Sequence, residues 1–125
     1  MPGWTADELK RIGEAEELDL ASMRRDGTLR KPVTMWVVRV GDDLFVRAYK
    51  GRTSPWFVGA ISHHEGHVSA GGVEKDVKFV EAGGETLHER VDAAYRSKYH
   101  RYAGSILASV LTTDAQAATI RLAVK

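Results

Sequence analysis

The chain has 125 residues, which is room for one domain of ordinary size. Lys plus Arg is 18 against 17 Asp plus Glu, a near balance that excludes the strong basic excess of a dedicated nucleic-acid binder. There is no cysteine, so disulfides, thiolate metal sites and a cysteine nucleophile are excluded, and no apolar run approaches the roughly 18 residues of a membrane span.

The amino-terminal stretch, residues 1–10, is acidic where a signal peptide is basic and then apolar. The expectation is one soluble, cytoplasmic domain over residues 1–125 with no membrane or nucleic-acid partner. Thr5 with Glu8 three residues on is a capping box, and it predicts a helix from Ala6 to Glu14 with Leu9 and Ile12 on one face. Glu17 to Met23 alternates and reads as a strand, and Asp26-Gly27 reads as a turn. Val33 to Val40 and Leu44 to Lys50 read as a hairpin around a three-residue loop, Gly41 to Asp43. That register sets Val40 against Leu44, Val38 against Val46, Trp36 against Ala48 and Thr34 against Lys50, which keeps one face apolar. The other face, with Met35, Val37, Phe45 and Tyr49, is a candidate surface for a homodimer.

Ser54-Pro55 predicts the start of a short helix carrying Trp56, Phe57 and Ile61, stopped by Gly66. Gly71-Gly72 predicts a tight turn between strands His67 to Ala70 and Val73 to Glu81. Thr86 and Glu89 form a second capping-box pattern, followed by a helical stripe through Leu87, Val91, Ala94, Tyr95, Lys98 and Tyr102 that ends near Tyr102 to Gly104. Ser105 to Leu111 reads as another short helix and Ala117 to Val124 as a last, half-buried strand. The sum is an α+β domain: a six-stranded, mostly antiparallel barrel with flanking helices.

Charge is unevenly placed. Residues 5–23 are net −4, and residues 24–52 are net +5 through Arg24, Arg25, Arg30, Lys31, Arg39, Arg47, Lys50 and Arg52 against Asp26, Asp42 and Asp43. Arg30, Lys31, Thr34, Lys50, Arg52 and Ser54 are expected to gather at one end of the hairpin, beside a helix N-terminus, as a site for an anion. Trp36 and Trp56 would wall it for a planar ring. Glycine-rich nucleotide loops and the nucleophile elbow are absent. His63, His64 and His67 are three imidazoles within five residues, but the spacing matches no metal motif, and the reading is no metal. Tyr95, Tyr99 and Tyr102 read as core, or as a pocket hydroxyl, for which Tyr99 is the candidate.

The order of strand, glycine turn, Lys31-Pro32, hairpin, Lys50-Gly51 and Pro55-Trp56-Phe57 resembles FMN-binding split-barrel proteins, and most of all the branch similar to deazaflavin-dependent nitroreductases. It is also similar to an uncharacterised small bacterial family of that superfamily. The resemblance runs from about Leu18 to Glu81. It implies a cofactor, FMN or the deazaflavin coenzyme F-420, with its phosphate along Arg30, Lys31, Pro32, Thr34, Lys50, Gly51 and Arg52. Pro55, Trp56 and Phe57 match the aromatic helix of the family. It further implies a homodimer and oxidoreductase chemistry on a small molecule. Val58, Gly59 and Ala60 stand where the family usually has an Asn, and Arg25, Asp26 and Gly27 replace its glycine-rich turn. These departures favour the alternative, a non-catalytic barrel that binds another small anionic ligand or a protein partner.

Overall fold

The capping box at Thr5 forms as the sequence predicts: the Thr5 hydroxyl accepts the Glu8 N–H at 3.1 Å and Glu8 accepts the Thr5 N–H at 2.9 Å. The helix it opens, α1, is Ala6–Glu14, and it buries Leu9 and Ile12. The computed structural model describes residues 3–102 and 104–125. After α1 come β1 (Leu18–Ser22), β2 (Val33–Met35), β3 (Val38–Val40), β4 (Asp43–Arg47), α2 (Pro55–His63), β5 (Glu65–Ala70) and β6 (Val73–Glu81). Then follow α3 (Glu85–Lys98), a 3-10 turn (His100–Tyr102), α4 (Ser105–Ala108), α5 (Thr113–Ala117) and β7 (Thr119–Val124). Ala103, inside the range where the third helix was expected to end, lies outside the described residues. No described helix is long and apolar enough to cross a membrane.

Seven strands form one antiparallel sheet in the order β2-β1-β5-β6-β7-β4-β3. The two edge strands are halves of one chain segment. Residues 33–40 pair with β1 at one end and with β4 at the other, so a bend at Trp36–Val37 curls the sheet toward closure. Counting that segment once gives the six strands expected; the bend makes them seven.

The same bend overturns the predicted hairpin register. Val38 faces Phe45, Arg39 faces Leu44 and Val40 faces Asp43, so the turn is two residues, Gly41 and Asp42. Gly41 supplies the positive φ, 62°, that such a turn needs. Thr34 pairs with Asp19 of β1, to which its hydroxyl donates at 2.6 Å, and not with Lys50. A three-residue loop keeps one face apolar only along an unbroken strand with one buried face, whereas both faces of β4 are buried. Leu44 and Val46 point into the barrel, with Leu18, Leu20, Val68, Phe79, Ile120 and Leu122. Val38 and Phe45 point outward beneath α3, against Val91, Tyr95 and Tyr99. With Val37 also buried in the barrel, the face expected to pair two subunits is core, and Tyr49 alone of its four residues is exposed.

Two further expectations shift. The Gly71-Gly72 hairpin forms as predicted, Ala70 facing Val73. The second capping box does not form: Gly84, at φ 106°, is the N-cap, which moves Thr86 inside the first turn, and no side chain caps that end. Helix α2 ends at His64 in the left-handed region, φ 57°, and Gly66 lies in β5.

Candidate functional site

The bend at Trp36 turns one indole face outward and stacks the ring on Tyr99, with centroids 4.0 Å apart and planes 4° from parallel. Beside it a cavity of about 460 Å³ opens between the β1–β2 edge, β4, α2, α3 and α4. That volume lies in the range of small-molecule sites. Trp36, Tyr49, Trp56 and Tyr95 give it aromatic walls, and Val33, Met35, Ile106 and Val110 add aliphatic ones. Glu17, Thr34, Arg47, Ser105 and Ser109 complete the lining. Tyr49 and Ile106 are 57% and 59% exposed and mark its mouth.

Arg47 is the residue that sequence reasoning passed over. Its side chain is buried and ion-paired with Asp92 on α3. It also donates to the Val110 carbonyl at 2.9 Å and the Thr119 hydroxyl at 3.0 Å, and Gln116 donates to the second Asp92 oxygen at 3.0 Å. The guanidinium lies 5.5 Å from the centre of the Tyr95 ring. A lone arginine between Val46 and Ala48 in an apolar strand was the available signal, because a buried charge has to be paired. Burial raises the Tyr95 phenol well above its ordinary pKa, against the partial counter-effect of Arg47, so the hydroxyl stays protonated.

Of the residues singled out from sequence, Thr34 and Trp56 line the cavity. Lys50 does not, but its ammonium stands 5.7 Å from the centre of the Tyr49 ring, which places a cation at the mouth. Lys31 and Pro32 are exposed and lead directly into Val33. Arg30 is exposed, and its guanidinium lies across Gly59 of α2, where a Cβ would come within 3.1 Å of Nε. Arg52 is turned away: it bonds Glu81 at 2.7 Å and the Ala117 carbonyl at 2.8 Å, and covers the Phe57 ring. Gly51, at φ 86°, packs on Asp114. Ser54 is the buried N-cap of α2, and its hydroxyl makes no capping bond. The phosphate cradle that the resemblance implies is not gathered around the cavity: Thr34 pairs with β1 and lines it, Lys50 lies in the turn after β4, and Arg52 is held by Glu81.

Tyr99 is outside the cavity. Its hydroxyl accepts the Val37 N–H at 3.1 Å and lies 2.9 Å and 3.1 Å from the Glu16 and Val37 carbonyls, either of which can take its proton. Lys98 donates to the same Val37 carbonyl at 2.6 Å. These side chains stand in for strand partners where the backbone leaves β1 and has not yet met β4. Tyr99→Phe leaves the buried Val37 N–H unpaired and is expected to cost about 1–3 kcal/mol in urea denaturation. A ligand affinity lost without any loss of stability would instead make it a site residue.

The three histidines part company. His64 ends α2, and His67 on β5 sits 3.0 Å from Asp76 and 3.2 Å from Glu74, which raise its pKa. Among the described residues no group of three His, Asp or Glu side chains is arranged to hold a metal ion.

A curled antiparallel sheet closed by one bent strand, with helices plugging its openings, is a split barrel. Solved structures share it. One is a putative pyridoxamine 5'-phosphate oxidase from Listeria innocua, with TM-score 0.61, 12% identity, and 94% of this chain and 88% of that chain covered. An FAD-binding protein from Mesorhizobium loti gives TM-score 0.57, 15% identity and coverages of 99% and 92%. An F420 reductase gives 0.55, 18%, 94% and 90%. At such identities the likeness is one of fold. Among curated proteins none matches this sequence. The chain belongs to the DUF2255 family, described as uncharacterized proteins conserved in bacteria, whose model matches residues 8–122.

Proposed function

We propose that the protein binds a flavin or deazaflavin through its ring system and serves as an oxidoreductase for a small molecule. One observation carries this reading: the 460 Å³ cavity has four aromatic walls and hydroxyls at Thr34, Ser105 and Ser109, on a barrel whose structural neighbours include an FAD-binding protein and an F420 reductase. The residues fit the ring better than the phosphate. Trp36, Trp56 and Tyr49 offer flat faces for stacking, and the Lys50 ammonium, 5.7 Å from the centre of the Tyr49 ring, supports an anionic group at the mouth. Such a cofactor supplies hydride chemistry when bound, and the chain positions it and keeps water away. Tyr49 and Ile106 narrow the entrance, and Trp36 is held rigidly by its stack on Tyr99.

The test is calorimetric titration of the protein with FMN, riboflavin and coenzyme F-420, with the visible spectrum of the freshly purified protein as a second readout. Saturable binding of one of them supports the reading, and no heat and no spectral change with any of them removes it. Lys50→Ala is expected to weaken FMN roughly two- to fivefold, the scale of an exposed ion pair, and to leave riboflavin unchanged. An equal loss for both ligands would take the phosphate away from Lys50.

A further inference from the structure

Among the described residues two buried hydroxyls have no hydrogen-bond partner, Ser22 and Tyr95. Ser22 is pressed against α2, where a Cβ on Gly59 would come within 2.7 Å of its oxygen, and it is not among the residues lining the cavity described above. Tyr95 is different. It is fully buried, it forms part of the cavity wall, and no acceptor in the protein takes its proton. A buried hydroxyl left unpaired costs free energy in the free protein, so a partner from outside is the ordinary resolution.

The charges around it define that partner. Arg47, on the same wall, is neutralised by Asp92 and held by Thr119 and Val110. Glu17 is the other charged residue in the lining and makes no salt bridge with a described residue. The cavity wall at Tyr95 therefore offers a hydrogen-bond donor without net positive charge beside it. A carboxylate or phosphate placed there would lose its hydration and gain no counter-charge. A neutral acceptor on a flat apolar body loses far less.

We propose that Tyr95 is a ligand-binding residue whose hydroxyl donates to a neutral carbonyl oxygen or ring nitrogen of a planar heterocycle, which enters with that edge foremost and leaves any anionic group outside beside Lys50. This deepens the reading above by naming the orientation and the recognised group, but it does not require the ring to be a flavin.

Coumarin, a flat bicycle with a carbonyl, and naphthalene, a flat bicycle with no acceptor, separate the two claims when titrated against wild type and Tyr95→Phe by ligand-observed NMR. Tyr95→Phe is expected to weaken coumarin roughly 3- to 10-fold, the worth of one neutral hydrogen bond, and to leave naphthalene unchanged. The free variant is expected to melt no lower than wild type, because the hydroxyl it loses has no partner. Coumarin affinity equal in the two proteins, no coumarin binding to wild type, or a parallel loss of both probes would overturn the assignment. Coumarin discrimination with no response to any flavin would keep it and sink the flavin reading instead.

Discussion

Asp92→Ala is expected to destabilise the protein by about 3–5 kcal/mol, because it leaves the Arg47 guanidinium buried without its counter-charge. The Arg47 side chain has no exposed surface and that of Asp92 is 12% exposed, so water reaches neither readily. The groups that remain, the Val110 carbonyl, the Thr119 hydroxyl and His88 Nδ1 at 3.5 Å, carry no negative charge to balance the guanidinium. Gln116, whose amide donates to Asp92, loses its partner in the same step. The measurement is the urea midpoint with the slope checked for constancy. The double variant Arg47→Met, Asp92→Leu removes the charge and fills the volume, and it is expected to recover most of the loss. A single-variant loss below about 1 kcal/mol would mean that water entering through the cavity solvates Arg47, and the neutral wall at Tyr95 inferred above would then have to be given up.

Local signals in the sequence proved reliable where one residue type decides one backbone feature. Thr5 and Glu8 set the start of α1, Ser54-Pro55 the start of α2, and Gly71-Gly72 the β5–β6 turn. The Thr86–Glu89 pattern failed locally, because Gly84 takes the N-cap, and the larger failures came where a distant contact decides. Alternation along residues 33–40 assumes a continuous strand, and nothing local at Trp36–Val37 announces a bend whose hydrogen bonds are completed by Tyr99 and Lys98, some sixty residues away. Once the strand bends, the register slips by one, Val38 moves beneath α3, and Thr34 joins β1 instead of standing beside Lys50. The cation cluster was legible as a list of residues but not as an arrangement. Arg52 shows why: Glu81 and the Ala117 carbonyl hold it, and neither is near it in sequence. Trp36, Trp56 and Thr34 reached the cavity because short segments carry them there, while Arg47 and Tyr95 belong to it through the packing of α3 on β4.

Gly66 is required by the sheet and not by the end of a helix. It reads as a helix stop, but α2 ends at His64, and Gly66 sits between Ser22 of β1 and Val77 of β6 in the middle of the sheet. A Cβ there would come within 2.3 Å of the Ala21 carbonyl oxygen and 2.6 Å of the Phe79 ring. The carbonyl belongs to the strand-pairing region and cannot retreat cheaply, and the Phe79 ring is enclosed by the barrel core. Gly66→Ala is therefore expected to cost about 1–3 kcal/mol or somewhat more by urea denaturation, the range of overpacked cores. Gly83→Ala, where the nearest atom is 3.9 Å away, is expected to stay within about 0.5 kcal/mol. Adding Phe79→Leu to Gly66→Ala relieves the ring contact and leaves the carbonyl contact, so the pair should couple favourably without returning to the stability of Phe79→Leu alone. Simple additivity of the two changes would show that the Phe79 ring swings aside at no cost, and that the barrel core on this side is looser than its burial indicates.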